Sequence, residues 1–320
     1  MGTLIAINPM RFFAFCAALL LFVGCSEAPT ELVDEPAQGV TFYGVVEEAD
    51  SRVFLDNQIR ICWNAEDLIS VYTGISRNFK YMFLGDDGDY GGEFEDVTTG
   101  FGSGNPVERN YALYPYASTN KFFFGDTEAE NYIRHTLPAT QTYKENSIAP
   151  GANVMVAVTS DAADGNLVFR NVCSYLRVKL YGVDQRVGSI VLTGNNDEIL
   201  SGYMAITPVY GGVPSMEMLD GTKSGPSLTL TSAEGVAIGT TRESATEFWL
   251  VVPPINFSKG FTLTVNGFYG GSQSFVVNNN LTFARNTYNT ITRELTITSG
   301  DTGMGVGGWG NGSSTEGSAE

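Results

Sequence analysis

Along the chain, apolar and polar side chains alternate over short runs separated by Gly, Asn, Asp and Ser. Alternation with a period of two marks a strand with one buried face. Tyr175-Leu-Arg-Val-Lys-Leu-Tyr181 is the clearest case: Leu176, Val178 and Leu180 share one face, and Arg177 and Lys179 the other. Charges on such a face also discourage unwanted pairing if the strand lies at a sheet edge. The pattern predicts strands over Val40–Val46, Arg52–Leu55, Gln58–Trp63, Leu68–Tyr72, Phe79–Leu84, Tyr111–Tyr116, Lys121–Phe124 and Val154–Thr159. A second series covers Ser174–Tyr181, Ser189–Thr193, Gly202–Thr207, Ser227–Thr231, Glu247–Val252, Gly260–Asn266, Ser274–Val277 and Thr290–Ile297. No long segment carries the helical period. Short strands with regular turns predict an all-β chain built as β-sandwiches. The polar break at Asp161-Ala-Ala-Asp-Gly165 predicts a boundary between one sandwich over 39–163 and another over 164–299.

The two ends read differently. Met10–Cys25 has one positive charge, Arg11, then an apolar run from Phe12 to Val23, then Gly24 and Cys25. That order predicts a signal peptide over 1–24, and Met1–Pro9 adds nothing a signal needs, which makes Met10 an alternative start. The run is too short for a spanning helix, which takes about 20 residues. The ending Leu-Phe-Val-Gly-Cys resembles a bacterial lipoprotein signal, so Cys25 is the expected lipidation site. An ordinary secretory signal with a chance cysteine is the alternative. Residues 25–38 are acidic and contain Pro, as in a solvated tether. Residues 300–320 are rich in Gly and Ser and predict a flexible tail.

Composition narrows the function. Hydrophobic residues at 43% fill a core, which excludes wholesale disorder over the 320 residues. With 18 Lys+Arg against 35 Asp+Glu the net charge is −17, which argues against a nucleic-acid partner, since that needs a basic stripe. The single histidine, His135, excludes His-pair zinc sites and lies in a stretch that reads as turn-like. A surface or hydrogen-bonded structural role is expected for it. Asp86, Asp87, Asp89, Glu93, Glu95 and Asp96 crowd one segment without EF-hand spacing, so a solvated hairpin tip is expected and no metal. Of the cysteines left after the signal and lipidation, Cys62 and Cys173 are expected to be unpaired buried thiols, with pairing open in an exported compartment. No G-x-S-x-G or H-E-x-x-H occurs, so no enzyme and no cofactor are expected. Tyr114, Tyr116, Phe122, Phe123 and Phe124 suit either a sugar platform or core packing, with packing favoured for at least half.

Several segments occur in a telling order: Cys25, Ser51-Arg-Val-Phe-Leu-Asp56, Ile61-Cys-Trp-Asn-Ala-Glu-Asp-Leu-Ile-Ser-Val-Tyr72, Tyr111-Ala-Leu-Tyr-Pro-Tyr116 and Phe169–Leu180. Ser189–Gly194, Leu200-Ser-Gly202, Phe248-Trp-Leu-Val-Val-Pro-Pro254 and Gly260–Val265 follow. Together they resemble the fimbrillin-like pilus subunits of Bacteroidetes. The resemblance implies two tandem transthyretin-like β-sandwiches, export as an outer-membrane lipoprotein, and polymerisation by strand donation. It also implies removal of an N-terminal strand by cleavage after an arginine. Here Val40–Val46 with Val40, Phe42 and Val45 buried, followed by Arg52 and Val53, fits that layout. An Arg52 that is a plain surface residue, with the first strand retained, stays open. The implied partners are other fimbrial subunits, the outer membrane through the lipid, and a host or bacterial surface ligand. Stalk subunits of the family donate a C-terminal strand. The Gly-rich tail suits that poorly, which favours an accessory or tip position. The alternative is a stand-alone surface lipoprotein that binds carbohydrate or host protein.

Overall fold

The computed structural model describes residues 40–47, 61–221 and 223–298. Cys25, Arg52, Val53, the signal, the tether and the tail lie outside the described residues. The first ten strands are β1 (Phe42–Val46), β2 (Leu68–Tyr72), β3 (Phe79–Phe83), β4 (Gly91–Asp96), β5 (Tyr111–Tyr114), β6 (Lys121–Phe123), β7 (Tyr132–Leu137), β8 (Thr140–Thr142), β9 (Met155–Val158) and β10 (Asn166–Asn171). Next come β11 (Ser174–Tyr181), β12 (Arg186–Gly194), β13 (Gly202–Thr207), β14 (Ser215–Met218), β15 (Ser227–Ala237) and β16 (Thr246–Val252). The last are β17 (Ile255–Phe257), β18 (Phe261–Gly267), β19 (Ser272–Val277), β20 (Leu281–Phe283) and β21 (Tyr288–Glu294). Among the described residues the one helical turn is a 3₁₀ turn at Glu128–Glu130.

Seven strands close a barrel in the order β1-β10-β9-β5-β2-β3-β4, with β4 pairing back onto β1. These strands thus form a closed barrel where the sequence predicts an N-terminal sandwich. The polar break at Asp161–Gly165 joins β9 to β10, and β10 still belongs to the barrel. Strands from the first half also leave it: β6 and β7 share a sheet with β13 and β14, and β8 pairs with β15. The remaining sheets are β16-β11-β21, β19-β18-β12-β15-β8 and the ribbon β17-β20.

Three apolar clusters fill these layers. Inside the barrel, Trp63 is ringed by Phe83, Phe94, Tyr114 and Phe169 at centroid distances of 5.1–5.6 Å, mostly edge-to-face. Leu176, Val178, Leu180, Ile190, Leu250 and Phe261 centre the C-terminal cluster. The third lies between and draws on both halves: Tyr111 and Leu113 with Met204, Ile206, Trp249 and Val251. Strand β5 is thus buried on both faces, with Ala112 and Tyr114 toward the barrel interior. This is why Tyr-Ala-Leu-Tyr reads as a continuous apolar run without alternation.

Strand β11 follows the alternation residue for residue: Leu176, Val178 and Leu180 are buried while Arg177 and Lys179 reach outward. It is flanked on both sides, by β16 and β21, so it is no edge strand. Its charges instead meet Glu247 at 3.7 and 3.1 Å. Tyr132–Leu137, which reads as a turn, is strand β7 with every second side chain buried. Gly91–Asp96 is likewise a strand; its carboxylates Glu93, Glu95 and Asp96 point out on β4 beside the Asp86–Asp89 turn.

Gln141 joins two sheets. Its Nε2 donates to the Val251 carbonyl at 2.7 Å, and its Oε1 accepts from the Val251 N–H at 2.9 Å. The side-chain amide thereby does for β16 what a neighbouring strand would do. Replacing it with leucine strands both buried backbone groups of Val251. Gln141→Leu is expected to cost about 2–4 kcal/mol, read as a lower urea midpoint at unchanged m.

Candidate functional site: the closing strand

Strand β1 holds the barrel shut. It pairs in parallel with β10, Tyr43 opposite Asn166 through Val46 opposite Phe169. On its other edge it pairs antiparallel with β4, Phe42 opposite Phe94 through Val45 opposite Gly91. Further bonds lie at its ends: Tyr43 N–H to Gly165 O at 2.9 Å, Val46 N–H to Tyr90 O at 3.0 Å, and Glu47 N–H to Phe169 O at 2.8 Å.

Phe42 is fully buried and meets Tyr81 edge-on at 5.2 Å. Val40 and Val46 pack against the same cluster. The expected set of Val40, Phe42 and Val45 therefore needs one change. Alternation from Val40 puts Gly44 and Val46 on the inner face and turns Val45 to the outer face, beside Val168 of β10. Gly44 occupies an inner position because a Cβ there would lie 2.6 Å from Phe94 and 3.0 Å from Phe169. Across the seam, a Cβ on Gly91 would meet Val45 at 2.7 Å, and one on Gly92 would meet Phe83 at 2.7 Å. The β1–β4 seam is thus mostly backbone pairing, with few cross-strand side-chain pairs to strengthen it.

The end of β1 is anchored by charge. Glu47 accepts from Arg285 at 2.6 Å, from Arg170 at 3.1 Å and from the Asn171 N–H at 2.8 Å. Arg285 also donates to the Asn171 carbonyl at 2.6 Å. Arg285 precedes β21, so one carboxylate links the closing strand to the C-terminal strand of the fold. Nothing in the local sequence around Glu47 marks it, because its partners lie far along the chain.

The other sequence candidates sit elsewhere. His135 is buried on β7, and Nδ1 lies 2.8 Å from Asn120 Oδ1. The Asn120 amide donates to Ser70 Oγ and the Pro115 carbonyl, so its oxygen accepts and His135 Nδ1 carries the proton. His135 is thus a hydrogen-bonded structural residue joining β7 to the barrel, as one of the two expected roles had it. Cys62 and Cys173 are both free, and only Cys173 is buried; Cys62 is exposed, against expectation, because it lies outside the barrel just before the inward Trp63. Burial pushes the Cys173 thiol up to about 12. Asp87 and Asp89 accept backbone N–H bonds from Ala65 and Asp86, which shapes that loop. Tyr114 and Phe122 are core residues, and Phe124 is exposed. A cleft of about 500 Å³ carries Asp67, Tyr114, Asn153, Tyr175, Glu247 and Trp249 on its walls. Burial raises the Asp67 pKa, and its carboxylate is engaged by the Asn64 N–H and Tyr114 hydroxyl. Glu247 is held by Arg177 and Lys179. Both carboxylates thus have structural partners.

No family model matches the chain, and no curated protein does. Solved structures do. A protein ascribed to cell adhesion from Bacteroides ovatus aligns with 82% of this chain and 96% of its own at 15% identity and a TM-score of 0.49. The tip fimbrial protein Mfa3 of Porphyromonas gingivalis, C-terminally truncated, aligns with 79% of this chain and 94% of its own, at 9% identity and a TM-score of 0.32. A fimbrial assembly protein of Parabacteroides distasonis aligns over 79% and 90% at 10% identity and a TM-score of 0.33. These neighbours are adhesion and fimbrial proteins.

Two measurements test this geometry. The Glu47 side chain is 12% exposed, so removing it leaves two half-buried arginines without their shared partner. Glu47→Ala should cost about 2–3 kcal/mol and speed proteolysis at β1, read by urea unfolding and limited digestion. For His135, burial lowers the pKa from 6.5 to about 4. Above 6.5 both folded and unfolded forms are neutral. As pH falls from 6.5 toward 4 only the unfolded chain takes the proton, so stability is lost across that window. The wild type should therefore lose roughly 2–3 kcal/mol more than His135→Gln between pH 7 and 4, with parallel curves above pH 7.

Proposed function

We propose that this chain is a subunit of a cell-surface fimbria, exported as a lipoprotein on Cys25 and assembled by β-strand donation. The observation that carries this reading is the double pairing of β1. Taking β1 away leaves the edges of β10 and β4 unpaired and exposes a groove that Phe42 fills. A strand from another subunit would restore both hydrogen-bond ladders and place alternate side chains in the groove. Such a head-to-tail contact does not close on itself, so it builds a filament. Cleavage after Arg52, leaving Val53 as the new N-terminus, is the step that frees the strand. The Gly-rich 300–320 segment favours an accessory or tip position over the stalk. The fimbrial names of the neighbours are in keeping with the reading and carry none of the argument.

The test is a chain that begins at Val53, titrated with a fluorescent peptide of residues 40–47. The truncated chain should bind the peptide, and a Phe42→Ala peptide should bind at least about tenfold more weakly. The full chain, its groove occupied, should not bind. Equal binding by full and truncated chains, or equal binding of both peptides, overturns strand exchange. It would leave a stand-alone surface lipoprotein that keeps β1.

A further inference from the structure

The four-stranded sheet β14-β13-β7-β6 buries one face, with Phe122, Ile133, His135, Leu137, Met204 and Ile206. Its other face presents Lys121 and Phe123 on β6, Tyr132 and Arg134 on β7, and Tyr203 on β13. These side chains form a column. Phe123 and Tyr132 are stacked, with centroids 4.8 Å apart and planes 6° from parallel. The Arg134 guanidinium lies 5.2 Å from the Phe123 centroid and 4.4 Å from that of Tyr203. Lys121 Nζ sits 5.1 Å from the Phe123 centroid. The residue paired with Arg134 across from β13 is Ala205, which leaves space beside the guanidinium.

The aromatic rings fix Arg134 in place, yet no protein acceptor answers it. Among the described residues neither Arg134 nor Lys121 has a carboxylate within 4.0 Å, and Arg134 Nε is buried without a hydrogen-bond partner. A planar guanidinium held between rings is a pre-organised fork for an oxyanion. In a chain of net charge −17, Lys121 and Arg134 stand side by side on this face, with Glu217 of β14 on the far side of Ala205. A polyanion is repelled by the rest of that surface. A single carboxylate responds to the cations within about 8 Å of it. Strands β7 and β13 are paired on both edges, so at Arg134 the sheet offers no free backbone to a peptide strand. Ring faces and a guanidinium fork suit a ligand with flat C–H surfaces and one acidic group.

From this geometry we infer a binding site for a carboxylated sugar residue on the outer face of β6, β7 and β13, with Arg134 receiving the carboxylate and Tyr132 and Tyr203 packing the sugar ring. The site is independent of strand donation, since β1 takes no part in it.

Galacturonic acid and 3′-sialyllactose, each with one carboxylate, are the probes, titrated into the full chain by calorimetry, with methyl galacturonate and pentaglutamate as controls. At least one acidic sugar should bind, and the ester at least about tenfold more weakly. Arg134→Gln should weaken binding about tenfold or more, and Arg134→Lys nearly as much because the fork is lost. Lys121→Gln, at an exposed position, should weaken it about threefold and serves if the Arg134 variants fail to fold. No binding of either acidic sugar, equal binding of the ester, indifference to Lys121→Gln and Arg134→Gln, or pentaglutamate binding as tightly as the sugar would each overturn the site. A failed β1-peptide titration would leave this result untouched.

Discussion

A backbone strand in a closed barrel must find partners on both edges, and at the seam the five residues of β1 meet that requirement. Its amides and carbonyls are answered by β10 on one side and β4 on the other. Everything inside the barrel depends on that closure. Phe42 completes the wall around Tyr81, and the rings of Phe94 and Phe169 close over the Gly44 backbone to reach Trp63. The same seam carries little side-chain contact with β4, because glycines occupy Gly44, Gly91 and Gly92. Backbone pairing, one large buried ring and the Glu47 bonds hold this segment, and the proposed strand exchange would replace them.

Polar groups as well as apolar ones tie the layers to each other. Gln141 stands in for a strand at β16, Asn120 links His135 to Ser70, and Glu47 gathers Arg170 and Arg285. Each is a small network in which loss of one member leaves buried groups unanswered, which costs more than the bond itself contributes. The Glu47 network adds a consequence for assembly. Under the strand exchange proposed above, withdrawal of β1 would remove the carboxylate and leave two cations beside β10 and the turn before β21, and an incoming strand with an acidic residue at the matching position would regain those bonds.

The outer face of β6, β7 and β13 shows the opposite situation, polar capacity with no internal use. Arg134 has its orientation set by two rings, and its Nε is buried without a protein acceptor. The aromatics first seen as a run at Phe122–Phe124 divide by the pleat: Phe122 is buried at 4% exposure, while Phe123 joins the outer column. The core reading of that run fits Phe122.

The sequence by itself determined the all-β character and most strand positions. A period of two is a local property: β11 and β13 span the residues their alternation marks, because one face is buried and the other is wet. It failed where polar side chains or glycines interrupt the pattern. His135 on β7 hides behind polar neighbours, and β4 hides behind its glycines and carboxylates. The burial of Phe42 was legible from alternation, but its companion was Val46, since register is fixed by partners on β10 and β4. Closure of the barrel, the reach of β10 past the polar break, the Glu47 cluster and the Arg134 column all join residues distant in the chain. Only tertiary structure decides these, because hydrogen-bond partners and ring contacts depend on which strands lie side by side, and short-range pattern carries no information about that.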